Sequence, residues 1–485
     1  MTVPADPSTP LTVVISGLRV LHQRVELCRH WGAVGAYAPS DFGRFHHDIR
    51  ASGARGRPLD VWASEQGFSV TASDGEDVAL TYEVDTLAGE RELDDFMVST
   101  HRRVGYALIS GYATYVVAEG SEDRPHRVCF DLPAEWRIET ALRADGPSCF
   151  VASSGFELLD EPVVAGTAFH TRRVEPIETG GESTFVHVYV EGSSEHTTQL
   201  DIITAATADA VRALSALDLP PLGRPMHVFY EHFSHDLGRD LGWALEHGAS
   251  MHGASFVDEN LEPRATLTYH VAHHLLHAWT PRRLYTTDLA PAHLLRGGES
   301  EFIWFAEGWV QYLTFVALGR SGVLSVDQVV NMLSRRFLRA AVHGRPDEPI
   351  SMMALSRVLS RGEHEHWFYG FSVGALLALW LDVRLARDPN VEVDMVEVHR
   401  RLFEAMERSP GGLDGSRFPE LFAELSGHDA SEIFARYVSG DEPLPVDDII
   451  GALGLGWDRE NRSMYPDRST IVETEPMRTR LFGAR

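Results

Sequence analysis

The chain has 485 residues with 44% hydrophobic and 23% charged side chains, the balance of a globular protein with room for two to four domains and a sizeable core. Its formal net charge of −27 argues against a nucleic-acid footprint or an anionic-membrane partner. All 43 basic residues are arginine, which excludes Schiff-base and lysine-base chemistry. Cys28, Cys129 and Cys149 are scattered without a CxxC pair, so neither a disulfide framework nor a thiolate metal site is expected.

Taken in chain order, the N-terminus lacks a basic stretch followed by a long apolar run, so no secretion signal is expected. Up to about residue 220 the pattern is mostly strand: LTVVISGLRV, VALTYEVDTL, TYVVAEG, STFVHVYVEG and QLDIITAA are β-branched or aromatic, with Gly, Asp and Ser turns between them. They suggest an antiparallel β-sandwich or saddle over 1–222, closed by the proline-rich LDLPPLGRP. MHVFYEHF reads as one more strand, and helical periodicity dominates after it. SVDQVVNMLSRRFLRAAV has Ser325 as its N-cap. GALLALWLDVRLA is a buried helix, and FPELFAELSG and ASEIFARYVSG are short amphipathic helices ending at glycine. The apolar run FSVGALLALWL is about half of the ~20 residues a membrane span needs, and a cytoplasmic location is expected. The tail after about Gly456 is polar and aperiodic.

One stretch carries chemistry. TLTYHVAHHLLHAWTP places His270, His273, His274 and His277 on one stripe of a single helix, because a turn takes 3.6 residues. Two imidazoles one turn apart, with a carboxylate from a second element, hold a divalent metal well. Two such pairs are available, His270/His274 and His273/His277. Downstream, FIWFAEGWVQYL reads as a second helix whose carboxylate inside the apolar stretch is Glu307. A carboxylate among Trp304, Phe305, Ala306 and Trp309 is costly to bury unless paired or metal-bound, so Glu307 is the third-ligand candidate.

These segments resemble the glycyl aminopeptidase family of zinc peptidases, whose catalytic domain is thermolysin-like. HHLLHAW is similar to the family's HExxHxW, and WFAEGWVQYL to its WFxEG helix. The resemblance implies His273, His277 and Glu307 as metal ligands, with Zn2+ as the cofactor. GWALEHGAS is similar to the family's GGLEHxxS, which implies that Glu246, followed by His247, receives a substrate's free amine. GALLALWLDVR, YVSGDEPLPVDDIIGALGL and, near the N-terminus, YAPSDFGRFHHDIRA extend the likeness over roughly 12–455. The implied fold is α+β: an N-terminal antiparallel β domain over 1–222, a mainly helical thermolysin-like metallopeptidase domain over 223–455, and a C-terminal tail over 456–485. That tail is too short for the PDZ domain of the family, so none is expected.

The departures bear on function. The family's HExxH glutamate takes a proton from water and returns it to the leaving amine; here that position is His274. An imidazole accepts a proton but supplies no negative charge to orient the water. Where the family has an oxyanion-donating tyrosine, three residues before the helix glycine, this chain has Phe371 before Gly374. Tyr369, two residues away, replaces it only if the loop shifts. The expectation is a metal-dependent enzyme with a repurposed or attenuated reaction on a small or peptidic substrate bearing a free amine. One alternative is a non-haem Fe2+ oxygenase, which also uses two histidines and a carboxylate; another is a pseudopeptidase that binds without turnover. His270 is expected beside the ligands or in a second metal site with His364 or His366.

Overall fold

A computed structural model describes the chain apart from residues 21, 29–36, 38–39, 65–66, 93–97, 180, 193–196, 232–243, 248–249, 255–262, 459–462, 467–472 and 484–485. The N-terminal part is built from small antiparallel sheets, as expected. One pairs Leu11–Arg19, Asp77–Val84, His46–Ser52 and Pro58–Leu59 in that order; another pairs Val117–Ala118, Arg24–Cys28, Gly67–Thr71 and Val61–Ser64. Burial alternates along Asp77–Val84, with Val78, Leu80, Tyr82 and Val84 inward, the two-residue period of a half-buried strand. A third sheet sets Cys129 directly opposite Cys149, and the two form a disulfide. This corrects the cysteine reading: pairing register, not spacing along the chain, brought two thiols 20 residues apart together.

The second part opens on a mixed five-stranded sheet. Its strands are β1 (Phe169–Thr179), β2 (Glu182–Glu191), β3 (Met226–Glu231), β4 (Ala244–His247) and β5 (Ser250–Ala254), in spatial order β1-β2-β3-β5-β4. β2, β3 and β5 are mutually parallel, with antiparallel edges. Parallel neighbours need a crossover, and α1 (Thr197–Leu214) supplies it. QLDIITAA, expected as a strand, lies within this helix. Its β-branched residues mislead over eight positions, whereas Leu200, Ile203, Ala206, Ala210, Val211 and Leu214 recur on the buried face with helical spacing. The sheet therefore runs across residue 222, and the proline-rich stretch joins α1 to β3 within one unit.

Helices follow. α2 (Pro263–Leu276) carries the histidine stripe, and a π-helical turn, Trp304–Trp309, leads into α3 (Val310–Arg320). α4 (Val326–Leu333) begins with the Ser325/Gln328 capping box and runs into a second π turn, Ser334–Leu338. α5 (Met352–Ser360) precedes α6 (Trp367–Arg387). Among the described residues α6 alone is long and apolar enough to cross a membrane, and 78% of its apolar window is buried in the core. The C-terminal segment is more ordered than its polar sequence suggested. It forms a hairpin of Leu455–Asp458 with Ser463–Pro466 and a helix, α7 (Glu475–Phe482), whose Leu481 and Phe482 are buried.

Candidate metal centre

Two glycines bring the glutamate element and α6 together. A Cβ on Gly308 would lie 2.4 Å from the Gly374 backbone, and one on Gly374 would lie 2.3 Å from the Trp304 carbonyl oxygen. The π turn and α6 therefore cross at backbone contact, which any side chain there would prevent. The turn carrying Glu307 is π-helical where the sequence suggested an ordinary helix; such turns are rare and concentrate at functional sites. Trp279, fully buried, donates its indole N–H to the Pro220 carbonyl at 2.7 Å, tying the end of the histidine segment to the stretch before β3.

Three donor atoms converge. His273 Nε2 and His277 Nε2 are 3.1 Å apart, and Glu307 Oε2 lies 3.4 Å and 3.5 Å from them. A tetrahedral zinc with arms of about 2.1 Å has donor–donor edges of about 3.4 Å, so these separations fit one divalent ion. His277 Nδ1 lies 2.8 Å from the Thr280 carbonyl. A carbonyl only accepts, so Nδ1 carries the proton and Nε2 turns a lone pair toward the other donors. Burial, with His277 alongside, pushes His273 down to about 3. It is neutral, and its approach to Glu307 is not an ion pair despite the short distance. A buried carboxylate facing neutral imidazoles is the arrangement a cation relieves.

His274 brings a third imidazole: His273, His274 and His277 each offer a ring nitrogen within 4.8 Å of the others. His270 points elsewhere. Its Nε2 accepts from the Arg336 guanidinium at 3.2 Å, and Arg336 also lies over the Tyr269 ring at 4.9 Å. Burial first, then the Arg336 charge, holds the His270 pKa well below the ordinary histidine value. A second cation at His270/His274 would meet that guanidinium. His366 precedes the first turn of α6 and is not among the grouped histidines; the side chain of His364 lies outside the described set.

Glu246 and His247 lie on β4, the edge strand beside α2, and their side chains are outside the described set. Phe371 is one turn before Gly374 on the face of α6 toward the π turn, and packs on Trp367 with ring centroids 4.8 Å apart. Tyr369, five residues before Gly374, is about 140° round the helix and lies beside Gly344. Two contributors escaped the sequence reading. Arg336 gave no signal. Tyr37, whose hydroxyl donates to Glu307 Oε1 at 3.0 Å, opens the YAPSDFGRFHHDIRA segment, which carried a likeness but no role.

Residues 30–167 match the family model of the peptidase M61 N-terminal domain, and 266–368, which contain His273, His277 and Glu307, match that of the M61 glycyl aminopeptidase. The chain belongs to the M61 glycyl aminopeptidase family. Solved structures share the fold of this M61 protein. A crystal structure of an aminopeptidase N family protein from Idiomarina loihiensis is 18% identical, with a TM-score of 0.76 over 92% of this chain and 76% of that one. The M1 zinc metallopeptidase from Deinococcus radiodurans is 14% identical, with a TM-score of 0.56 over 92% of this chain and 93% of that one. Yeast LTA4 hydrolase in complex with bestatin is 11% identical, with a TM-score of 0.55 over 90% of this chain and 65% of that one. No curated protein matches the chain's sequence significantly. The metal named among these relatives is zinc, and iron finds no support. This M61 chain is thus a metallopeptidase-like protein with an aminopeptidase-type fold.

Proposed function

We propose that this protein is an attenuated zinc hydrolase acting on peptides or small amides with a free amino terminus. Its metal would be held by His273, His277 and Glu307, and its acid–base group is His274 in place of a carboxylate. The observation that carries the reading is the triangle of donors with edges of 3.1 Å, 3.4 Å and 3.5 Å. Zinc bound there would polarise a carbonyl and make water nucleophilic near neutral pH.

The remaining roles belong to the chain. The Thr280 carbonyl holds the His277 ring in the tautomer that offers Nε2. His274 takes the proton of the attacking water and returns it to the departing amine. A neutral imidazole orients that water less strongly than a carboxylate would. Phe371 offers no donor to a developing oxyanion, and we leave Tyr369 out of the machinery because of its position round α6. Both losses slow turnover without touching the ligands. Glu246, on the strand beside α2, is the group we assign to the substrate amine. The substrate class draws support from solved relatives: a glutamate-to-alanine mutant of a two-domain M1 zinc metallopeptidase bound to L-tryptophan or L-arginine, and that of the Deinococcus radiodurans protein bound to a Tyr-Ser-Ala substrate.

Zinc content and the cleavage of aminoacyl anilides test the proposal. The parent should hydrolyse them slowly, His274→Ala should lose about 10²-fold, and His274→Glu should gain about tenfold or more. Unchanged turnover in His274→Ala would remove His274 from the chemistry. One observation favours a second reading: His274 offers a ring nitrogen within 4.8 Å of those of His273 and His277, and a fourth ligand from it would close the open position a catalytic zinc needs. On that reading the protein binds peptides without turnover, and the parent is silent whatever the assay.

A further inference from the structure

Tyr37 comes from the N-terminal part of the chain, 270 residues from Glu307. It is 3% exposed and belongs to the hydrophobic core of the second part. Its φ of 58° is in the left-handed region that bulky residues seldom occupy, a conformation kept where the surroundings over-determine it. Its hydroxyl donates to Glu307 Oε1 at 3.0 Å, while Oε2 of the same carboxylate faces the two imidazoles at 3.4 Å and 3.5 Å.

We propose that Tyr37 is a positioning residue for the metal centre: it engages one oxygen of Glu307 so that only the other is presented beside His273 and His277, and the site is complete only with both parts of the fold. The inference rests on the zinc reading above. A glutamate carboxylate turns broadly about its last torsion, so without a fixed donor Oε1 and Oε2 compete for the same place. The phenol removes that freedom. It acts from outside the ligand set, where the loss of a supporting hydrogen bond typically weakens metal binding by about 10–100-fold.

The test compares the parent, Tyr37→Phe and Tyr82→Phe as full chains. Tyr82 is the control: it is equally buried in the N-terminal part and donates to the Thr114 carbonyl at 2.8 Å. Zinc affinity is measured by competition with a chromophoric chelator, and cobalt(II) replaces zinc for visible absorption. Tyr37→Phe should bind zinc about tenfold or more weakly, with Tyr82→Phe like the parent. The cobalt absorption of Tyr37→Phe should weaken as the freed Oε1 raises the coordination number. Zinc affinity of Tyr37→Phe within about twofold of the parent, an unchanged cobalt spectrum, or an equal loss in Tyr82→Phe would each overturn the proposal. A parent that binds no zinc would instead sink the metal reading, and this inference with it.

Discussion

His277 shows what the protein asks of single side chains at its centre. Its Nδ1–H is committed to the Thr280 carbonyl at 2.8 Å, and its Nε2 stands 3.1 Å from that of His273. One ring thus contributes a lone pair whose direction is set by the backbone that ends the histidine segment. The spacing of His273, His277 and Glu307 was legible in the sequence because helical periodicity is local. The choice between the two histidine pairs was not legible from spacing, since both have the same separation. The structure separates them through Arg336, whose guanidinium meets His270. Metal analysis should therefore find one zinc per chain, and a value of two in the parent would reverse this reading of His270. Glu307→Gln keeps the shape and removes the charge; it should reduce bound zinc to near zero after mild dialysis, measured by atomic absorption.

Among the elements, the contact between the π turn and α6 has the narrowest tolerance. Gly308 and Gly374 sit in motifs the sequence reading recognised, but their reason is steric: each leaves room for the other's backbone. Gly374→Ala would put a methyl 2.3 Å from the Trp304 carbonyl oxygen. Overpacking of this kind costs about 1–3 kcal/mol, and the turn that must move to relieve it holds Glu307. A lower unfolding temperature together with weaker zinc retention is expected, and unchanged values of both would show that the crossing has slack. The helix capped by Ser325 was legible because its capping box is written in adjacent residues. The fate of QLDIITAA was not, because its run of Ile202, Ile203, Thr204, Ala205 and Ala206 fits either period until the window is extended to Leu214.

Across the molecule, the two parts are joined by polar contacts that range from half-buried to fully buried. Arg282 pairs with Asp160, which also accepts from Tyr112. Arg224 pairs with Glu157 and Glu161. His101, on a strand of the N-terminal part, meets Glu231 at the end of β3 at 2.5 Å, both fully buried. Burial alone would lower the His101 pKa, but Glu231, in contact, and then Glu90 outweigh it and raise the pKa above the ordinary 6.5, with Arg103 opposing. A histidine raised on folding contributes stability that is full below its unfolded pKa and is lost as pH climbs through the folded one. The difference in unfolding temperature between the parent and His101→Gln should therefore be largest near about pH 6 and shrink toward about pH 9. Removing one partner of such a pair costs about 3–5 kcal/mol. A difference flat across that range would mean that the pair does not titrate.

By itself the sequence determined the fold class, the helix that carries the histidines and the ligand candidates, because periodicity, capping and motif spacing act within a few turns of chain. It also placed His274 and Phe371 where the family it resembles carries a glutamate and a tyrosine. Only the tertiary structure decided that β1, β2 and α1 belong to the second part of the fold, that Cys129 and Cys149 join, that Arg336 claims His270 and that Tyr37 reaches Glu307. These are pairings between distant segments, set by strand register and by which surfaces exclude water together, and no local pattern of residues encodes them.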